Sequence, residues 1–351
     1  MKRWIAVLGL VACGGLPEVT DEGVHIRVAR DPALVMCGGT LDHMDAFVAL
    51  LSAEFGTVPP TGDARYTYYW LEPEGFDERT PCPHELPGCS FDDAVWMTSV
   101  PANHELVHAV AWQSGTPRPY FIEGLAVAYE GQVRGSPEDV KWGAAQATIM
   151  ASHSRWVDYL TAGGFVRSVI DAHGAAAFMR FYAKVPFLGS RGRVEREFKN
   201  AFGESLDAAA ARFDRDQPCE DTKSTALLVE CAAPEIAWDG RRFAEYRTVA
   251  CEQDDVVGPY GGDTAVVFRT IDVPEAGEYE VTLFAESLTG EGDAFALYVT
   301  PCGSCVERET EVVSTGSGTE RVELAAGLHS LRLVGPARGE ASVGLKLERR
   351  P

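Results

Sequence analysis

The sequence predicts an α+β domain followed by an all-β, jelly-roll-like sandwich, and three observations carry the prediction. Runs of strand-like alternation and helical spacing mix up to about residue 100. Helical spacing punctuated by Gly and Pro then continues from Pro101 to about Phe213, and beyond Pro218 the texture becomes short alternating strands. At 351 residues the chain is long enough for two cores, since domains usually run to about 100–200 residues. The expected units are an export signal over 1–12, a mixed domain over 13–217 and a sandwich over 218–351, with the junction near Asp216 to Thr222.

Taken in order, Lys2 and Arg3 precede the apolar stretch Trp4 to Ala12, which is too short to span a bilayer and has the charged-then-apolar plan of an export signal. Its end, Leu10-Val11-Ala12-Cys13, resembles the bacterial lipobox. That resemblance implies lipidation of Cys13 and a firm membrane anchor, because such lipoproteins carry more than one acyl chain. The expected location is the cell envelope, at the outer membrane or the cell surface. Setting Cys13 aside leaves eight cysteines, an even number that in an exported chain suggests up to four disulfides, local pairs being the easiest guess. Cys302-Gly-Ser-Cys305 has redox spacing but lacks a strand-to-helix context, and is read as structural. Hydrophobic residues at 46% and charged residues at 24% are ordinary for a globular protein. The formal charge of −21, with no basic cluster, excludes a nucleic-acid partner.

Val24 to Val28 alternates as a strand, and Thr40 precedes a helix with Leu41, Met44, Phe47, Val48 and Leu51 on one face. Tyr66 to Leu71 and Ala94 to Thr98 are further strands, separated by the turn-rich loop Pro81 to Cys89. His84-Glu85 in that loop is flanked by prolines and has no second His four residues on, so no helical face presents two ligands. In the second half, strands are expected at 226–229, 265–271, 279–284, 294–299, 312–314, 321–324, 328–333 and 342–347, with turns at Pro274 to Gly277 and Ala325 to Gly327. The acidic loops Asp254-Asp255 and Glu291-Gly292-Asp293 lack a complete calcium-ligand spacing and read as solvated turns.

The chemistry concentrates in His104-Glu105-Leu106-Val107-His108, which sets two imidazoles at i and i+4 on one helical face. Zinc is the natural occupant of such a pair, and Glu105 is placed to take the proton of a water that zinc makes acidic. Val100, Leu106, Val107, Val110 and Ala111 give the helix an apolar face, and Pro101 suits its first turn. Fourteen residues separate His108 from Glu123, with the helix-breaking Ser114 to Pro119 between.

Here the sequence resembles the gluzincins, the thermolysin-like and aminopeptidase-like metallopeptidases. The match is Phe121-Ile122-Glu123-Gly124-Leu125-Ala126, with Tyr159 to Arg167 similar to the helix that follows. The resemblance implies a zincin-like fold, His104, His108 and Glu123 as zinc ligands, Glu105 as general base, and a peptide or protein substrate. Tyr159 is the candidate for stabilising the oxyanion, with His153 the alternative, and Tyr159 packing between helices the other reading. The strand Ala94 to Thr98 is implied as the edge on which an extended substrate pairs, an internal core strand being the other reading. Two departures stand out. Val127 occupies the position of the acidic residue that orients the first His in thermolysin-type enzymes, so the partner of His104 is expected elsewhere, for example a backbone carbonyl. No aminopeptidase-type motif for capturing a substrate amine is present, which points to an endopeptidase. The sandwich loosely resembles accessory domains of secreted hydrolases, of pre-peptidase C-terminal and carbohydrate-binding types. The competing function is a lipid-anchored binding or structural protein that keeps a peptidase fold without turnover. Oligomeric state is not legible.

Overall fold

The computed structural model describes residues 15–131, 157–216, 226–238, 241–260, 263–287, 295–303, 310–314 and 317–350. The expected signal 1–12, Cys13, His153, Cys219, Cys305, Glu291-Gly292-Asp293 and most of the expected junction lie outside the described residues.

The first unit is a five-stranded sheet with helices. Its strands are β1 (Val19–Glu22), β2 (Ile26–Arg30), β3 (Tyr66–Trp70), β4 (Gly88–Phe91) and β5 (Ala94–Met97), in the order β1-β2-β3-β5-β4. β2, β3 and β5 run parallel, with β1 and β4 antiparallel at the two edges. β5 is therefore internal, and the edge beside it is β4, in the segment expected to be loop. Helix α1 (Thr40–Phe55) buries Met44, Phe47, Val48 and Leu51 against Ile26, Val28, Tyr68 and Val95. The strand expected from Val24 begins instead at Ile26, because the Val24, His25 and Ile26 amides donate to the Asp45 carboxylate of α1 at 2.5, 2.9 and 2.9 Å. On the other side of the sheet, the short helix α2 (Phe76–Arg79) and the Cys82–Cys89 disulfide cover Leu71, with Tyr69 stacked on Trp96 at 5.7 Å.

The helical half contains α3 (Asn103–Trp112), α4 (Pro119–Tyr129), α5 (Tyr159–His173), α6 (Ala175–Tyr182), α7 (Arg191–Phe202) and α8 (Leu206–Asp216). Pro101 lies outside α3, whose cap is Ala102, whereas Pro119 opens α4 at the position where a missing N–H costs nothing. Asp158 caps α5 by accepting from the Thr161 amide at 3.2 Å. Phe121, Phe165, Phe181, Phe198 and Phe213 join these helices into the same core as the sheet.

The second unit is a β-sandwich of nine described strands: β6 (Arg242–Ala250), β7 (Val257–Tyr260), β8 (Thr264–Val273), β9 (Gly277–Ser287), β10 (Phe295–Pro301), β11 (Thr310–Ser314), β12 (Ser317–Leu324), β13 (Gly327–Pro336) and β14 (Glu340–Arg349). One antiparallel sheet has the order β11-β10-β13-β8-β7 and the other β12-β9-β14-β6. The chain changes sheet at every connection except β7–β8 and β10–β11, so inward residues of both sheets, such as Val267, Ile271, Leu283, Leu297 and Leu345, form one core. The expected strand 226–229 is absent. The Ala226 amide donates to Ala128 O at 3.0 Å, and the chain then winds into a short 3-10 turn, Glu230–Ala232, with Val229 in the first unit's core. Asp254-Asp255 is a solvent-facing turn as expected, and within it the Asp255 side chain, 40% exposed, is held by Arg247 at 2.6 and 2.7 Å and by Arg269 at 2.5 Å, hydrogen bonds that hold its carboxyl below the usual range.

The two units are joined covalently. Cys37, just ahead of α1, is bonded to Cys251 at the end of β6, and the Cys37, Gly38 and Gly39 amides donate to Gly258, Cys251 and Val256 carbonyls at 2.7–3.0 Å. His43 of α1 stacks on Phe268 of β8 at 5.3 Å, so both faces of β8 are covered. A third disulfide links Cys231 to Cys302, so Cys302 is bonded outside its Cys302-Cys305 motif. Among the described residues, no helix is long and apolar enough to cross a membrane.

Candidate metal centre

α3 presents His104 and His108 one turn apart, with ring centroids 4.8 Å apart and planes at 87°. This mutual tilt points both Nε2 atoms at one oxygen, Glu123 Oε2 of α4, which lies 3.2 Å from each. Among the described residues these three are the one His/Cys/Asp/Glu group whose ligand atoms converge, all within 4.8 Å of one another. Two imidazoles and a carboxylate are a donor set suited to zinc with an open position. The two His–Glu123 edges of 3.2 Å suit it too, since bonds of about 2.0–2.1 Å to a tetrahedral ion imply ligand–ligand edges of roughly 3.3 Å. The residues present therefore fit the metal.

The orientation of His104 comes from a residue the sequence reading did not single out. His104 Nδ1 donates to Glu130 Oε2 at 2.8 Å, which leaves Nε2 free to ligate. Glu130 is 1% exposed. It caps the C-terminus of α4, and its main-chain oxygen accepts from Asn103 Nδ2 at 3.1 Å. The partner is thus a carboxylate, not a backbone carbonyl, and it lies seven residues after Glu123 rather than four. Seven residues is about two helical turns, so Glu130 and Glu123 share a face. Val127 looks elsewhere: a Cβ added at Gly163 of α5 would lie 2.3 Å from Val127 Cγ1. Gly124 makes the reciprocal contact, since a Cβ there would come within 2.6 Å of Ala162 O. The Glu-Gly pair thus places a ligand on one face of α4 and a close helix contact on another.

In the metal-free protein the cluster behaves as a proton-sharing site. Burial pushes the His104 pKa down, but the Glu123 and Glu130 carboxylates outweigh it and hold it up at about 10. Burial opposes ionisation of Glu123, yet the two imidazoles pull it far below the usual carboxylate range. Tyr182, buried beside this group, is pushed far up by burial and by the charge of Glu123.

Glu105 is half-buried on α3, outside the converging trio, and its charge adds to the field on both His104 and Tyr68. Tyr68 itself donates to Ser99 O at 2.6 Å and is kept neutral by burial. Tyr159, the first residue of α5, is 42% exposed, with its ring 5.9 Å from that of His104. The structure thus brings Tyr159 to the metal cluster's first histidine. His84 is on the surface, its side chain 83% exposed and paired with Asp77 at 3.3 Å.

No family model matches the sequence, and no curated protein matches it. Among solved structures, the chain is similar to the pre-peptidase C-terminal domain of a collagenase from Bacillus anthracis, at 14% identity over 33% of this chain and 94% of that one, with a TM-score of 0.23. It is similar to PliG, a periplasmic lysozyme inhibitor of g-type lysozyme from Aeromonas hydrophila, at 11% identity over 34% of this chain and 96% of that one, TM-score 0.23. A third likeness, to an Arthrobacter globiformis isomalto-dextranase complexed with panose, covers 26% of this chain and only 17% of that one, at 16% identity and a TM-score of 0.21. At such identities and TM-scores these likenesses assign neither a family nor an activity to the chain.

Proposed function

We propose that the chain is a zinc-dependent endopeptidase, with a zincin-like catalytic unit of gluzincin type and the metal on His104, His108 and Glu123. The observation that carries the reading is the meeting of both His Nε2 atoms on Glu123 Oε2, with Glu130 behind His104. When bound, zinc polarises the scissile carbonyl and lowers the pKa of a water to about 7. Glu105, on the same helix as both histidines and outside the ligand trio, takes the proton of the attacking water and returns it to the leaving amine. Tyr159, half-exposed beside His104, donates its hydroxyl to the developing oxyanion. Glu130 fixes the tautomer and angle of His104. The three disulfides suit an extracellular or periplasmic setting. Within that setting we place the chain as an envelope lipoprotein anchored at Cys13 and acting on peptide or protein substrates.

The test is metal content together with activity on the mature chain. The wild type is expected to hold about one zinc and to cleave within a broad quenched-fluorescence peptide library. Glu105→Gln should keep its zinc and lose about 10²–10⁴-fold in turnover. Zinc-loaded wild type that cleaves nothing overturns the reading in favour of a binding or structural protein that keeps the site without turnover.

A further inference from the structure

The two sheets of the sandwich differ in what covers their outer faces. The β11-β10-β13-β8-β7 sheet is packed against the first unit, with Phe268 under His43. On the β12-β9-β14-β6 sheet an open groove of about 620 Å³ runs across three strands. Its middle row is set by register: Gly344 of β14 pairs with Tyr246 of β6 on one side and with Phe284 of β9 on the other. These two aromatic side chains are 72% and 42% exposed. With strands about 4.8 Å apart, they stand roughly 10 Å from each other across the glycine. The Tyr246 ring lies directly over Gly344, where an added Cβ would meet Tyr246 Cε1 at 2.6 Å. Its Cδ1–Cε1 edge thus rests against the glycine, and at 72% exposure most of the ring stays open to solvent. The next row supplies polar groups, since Ser342 pairs with both Thr248 and Glu286. All three open into the groove. Their side chains make no hydrogen bond or ion pair among the described residues.

An exposed flat ring beside a second aromatic and a row of hydroxyl and carboxylate acceptors matches a ligand with an apolar face and a rim of hydroxyl donors. That is the chemistry of a pyranose ring. The chain's charge of −21 and the carboxylate of Glu286 disfavour a polyanion. A protein partner or a second copy is disfavoured because the apolar strip is only two rings wide, far below the roughly 800 Å² per partner of a stable interface. An extended peptide would find no free strand edge on a sheet face. We propose that this groove is a binding site for a neutral glycan, a sugar ring stacking on Tyr246 and Phe284 over Gly344 while its hydroxyls donate to Glu286, Thr248 and Ser342. The site is separate from the metal centre and does not depend on it. It would hold an exported chain on a polysaccharide surface.

The experiment is native electrophoresis of the full mature chain through gels containing β-1,3-glucan, β-1,4-glucan, xylan, mannan or an α-glucan. At least one polymer is expected to retard the wild type. Tyr246→Ala and Phe284→Ala should each weaken retardation by roughly tenfold, about 1.4 kcal/mol, whereas Tyr246→Phe and Glu105→Gln keep it. Phe284→Ala removes no contact with Gly344, so its unfolding temperature should match the wild type and it tests the site even if Tyr246→Ala folds poorly. The proposal is overturned if none of the five polymers retards the chain, or if retardation survives both alanine variants. It is overturned too if the wild type is a dimer that Tyr246→Ala or Phe284→Ala dissociates, which would make the face an interface between copies.

Discussion

Around His104 two carboxylates share one imidazole, Glu130 Oε2 at 2.8 Å from Nδ1 and Glu123 Oε2 at 3.2 Å from Nε2. The metal needs only the second of these nitrogens, so the first contact sets how well the ligand is aimed. Glu130→Ala is expected to lower zinc affinity by about 10–100-fold, as loss of a partner behind a ligating His commonly does, measured by competition with a chromogenic chelator. Adding Val127→Asp should not rescue it, because Val127 packs against Gly163 and an unpartnered buried carboxylate there costs further stability. The same geometry fixes a pH dependence. His104 has its folded pKa raised to about 10 in the metal-free protein, so its ion pairs stabilise that form fully below the unfolded value near 6.5 and are lost as pH rises through 10. Glu123 is shifted the other way, and its contribution is lost as pH falls below the usual carboxylate range. Zinc must replace the His104 proton. Uptake at pH 8 is therefore expected to release about one proton per ion, read from calorimetry in two buffers of different ionisation enthalpy; an identical heat in both would contradict it.

Helix α4 carries the ligand and the packing contact on its 11 residues and the orienter at its C-cap, and its position depends on two glycines. In Gly124→Ala the new methyl meets a backbone oxygen, Ala162 O, which cannot move aside alone. α4 must then lift from α5 and take Glu123 with it. Overpacking of this kind is expected to cost about 1–3 kcal/mol and to reduce zinc content, measured by thermal unfolding and metal analysis on the same sample. Gly163→Ala meets Val127 Cγ1 at 2.3 Å and Val127 Cβ at 2.7 Å, so pairing it with Val127→Ala removes the first clash but not the second and should recover only part of the stability. The elements that sequence pattern revealed are those whose burial is periodic, such as α1, α3 and β5, or nearly continuous, such as β3 and β8. The strands it missed, β1, β4, β6 and β7, are all at sheet edges. An edge strand needs few apolar residues: β6 buries only Phe243 and Val249 among charged neighbours, and β1 buries none. The error at 226–229 has the opposite cause, since Leu227 and Val229 alternate as in a strand but serve a turn docked on α4. Within the candidate site, His104 and His108 were legible from i, i+4 spacing, and Glu123 from the helix break and the Glu-Gly motif. Glu130 was not, because its role depends on two helices crossing, and no local spacing records that.

Across the whole molecule, the first unit and the sandwich are held by a buried contact and a covalent tie of different chemical character. The contact centres on His43, stacked on Phe268 and 3.3 Å from Tyr260 Oη, with Glu230 and Arg332 close enough to act on Tyr260 electrostatically. Burial holds the His43 pKa down at about 4. An undocked His43 would bind a proton near pH 6.5, so the docked arrangement loses stability as pH falls from about 6.5 through 4, by up to about 3 kcal/mol. Burial holds Glu230 up at about 7. Freed from burial it would ionise near 4.5, so its contribution to docking grows as pH falls from about 7 through 4.5 and offsets most of the His43 loss. The tie is the Cys37–Cys251 disulfide, whose partners are 214 residues apart, and closing so long a loop contributes about 2–5 kcal/mol by restricting the unfolded chain. Glu230→Gln removes the offset, so in that background acid weakens the contact while the intact disulfide keeps the units together. Cys37→Ala/Cys251→Ala/Glu230→Gln should therefore unfold in one step at pH 7.5 and in two at pH 4.5, when urea unfolding is followed by tryptophan fluorescence, whereas the variant that keeps Glu230 should change little between the two pH values. Adding His43→Leu, which keeps an apolar side chain against Phe268, should restore the single step at pH 4.5. Two steps at both pH values would mean that the units never shared a cooperative interface, and one step at both would mean that His43 does not govern it.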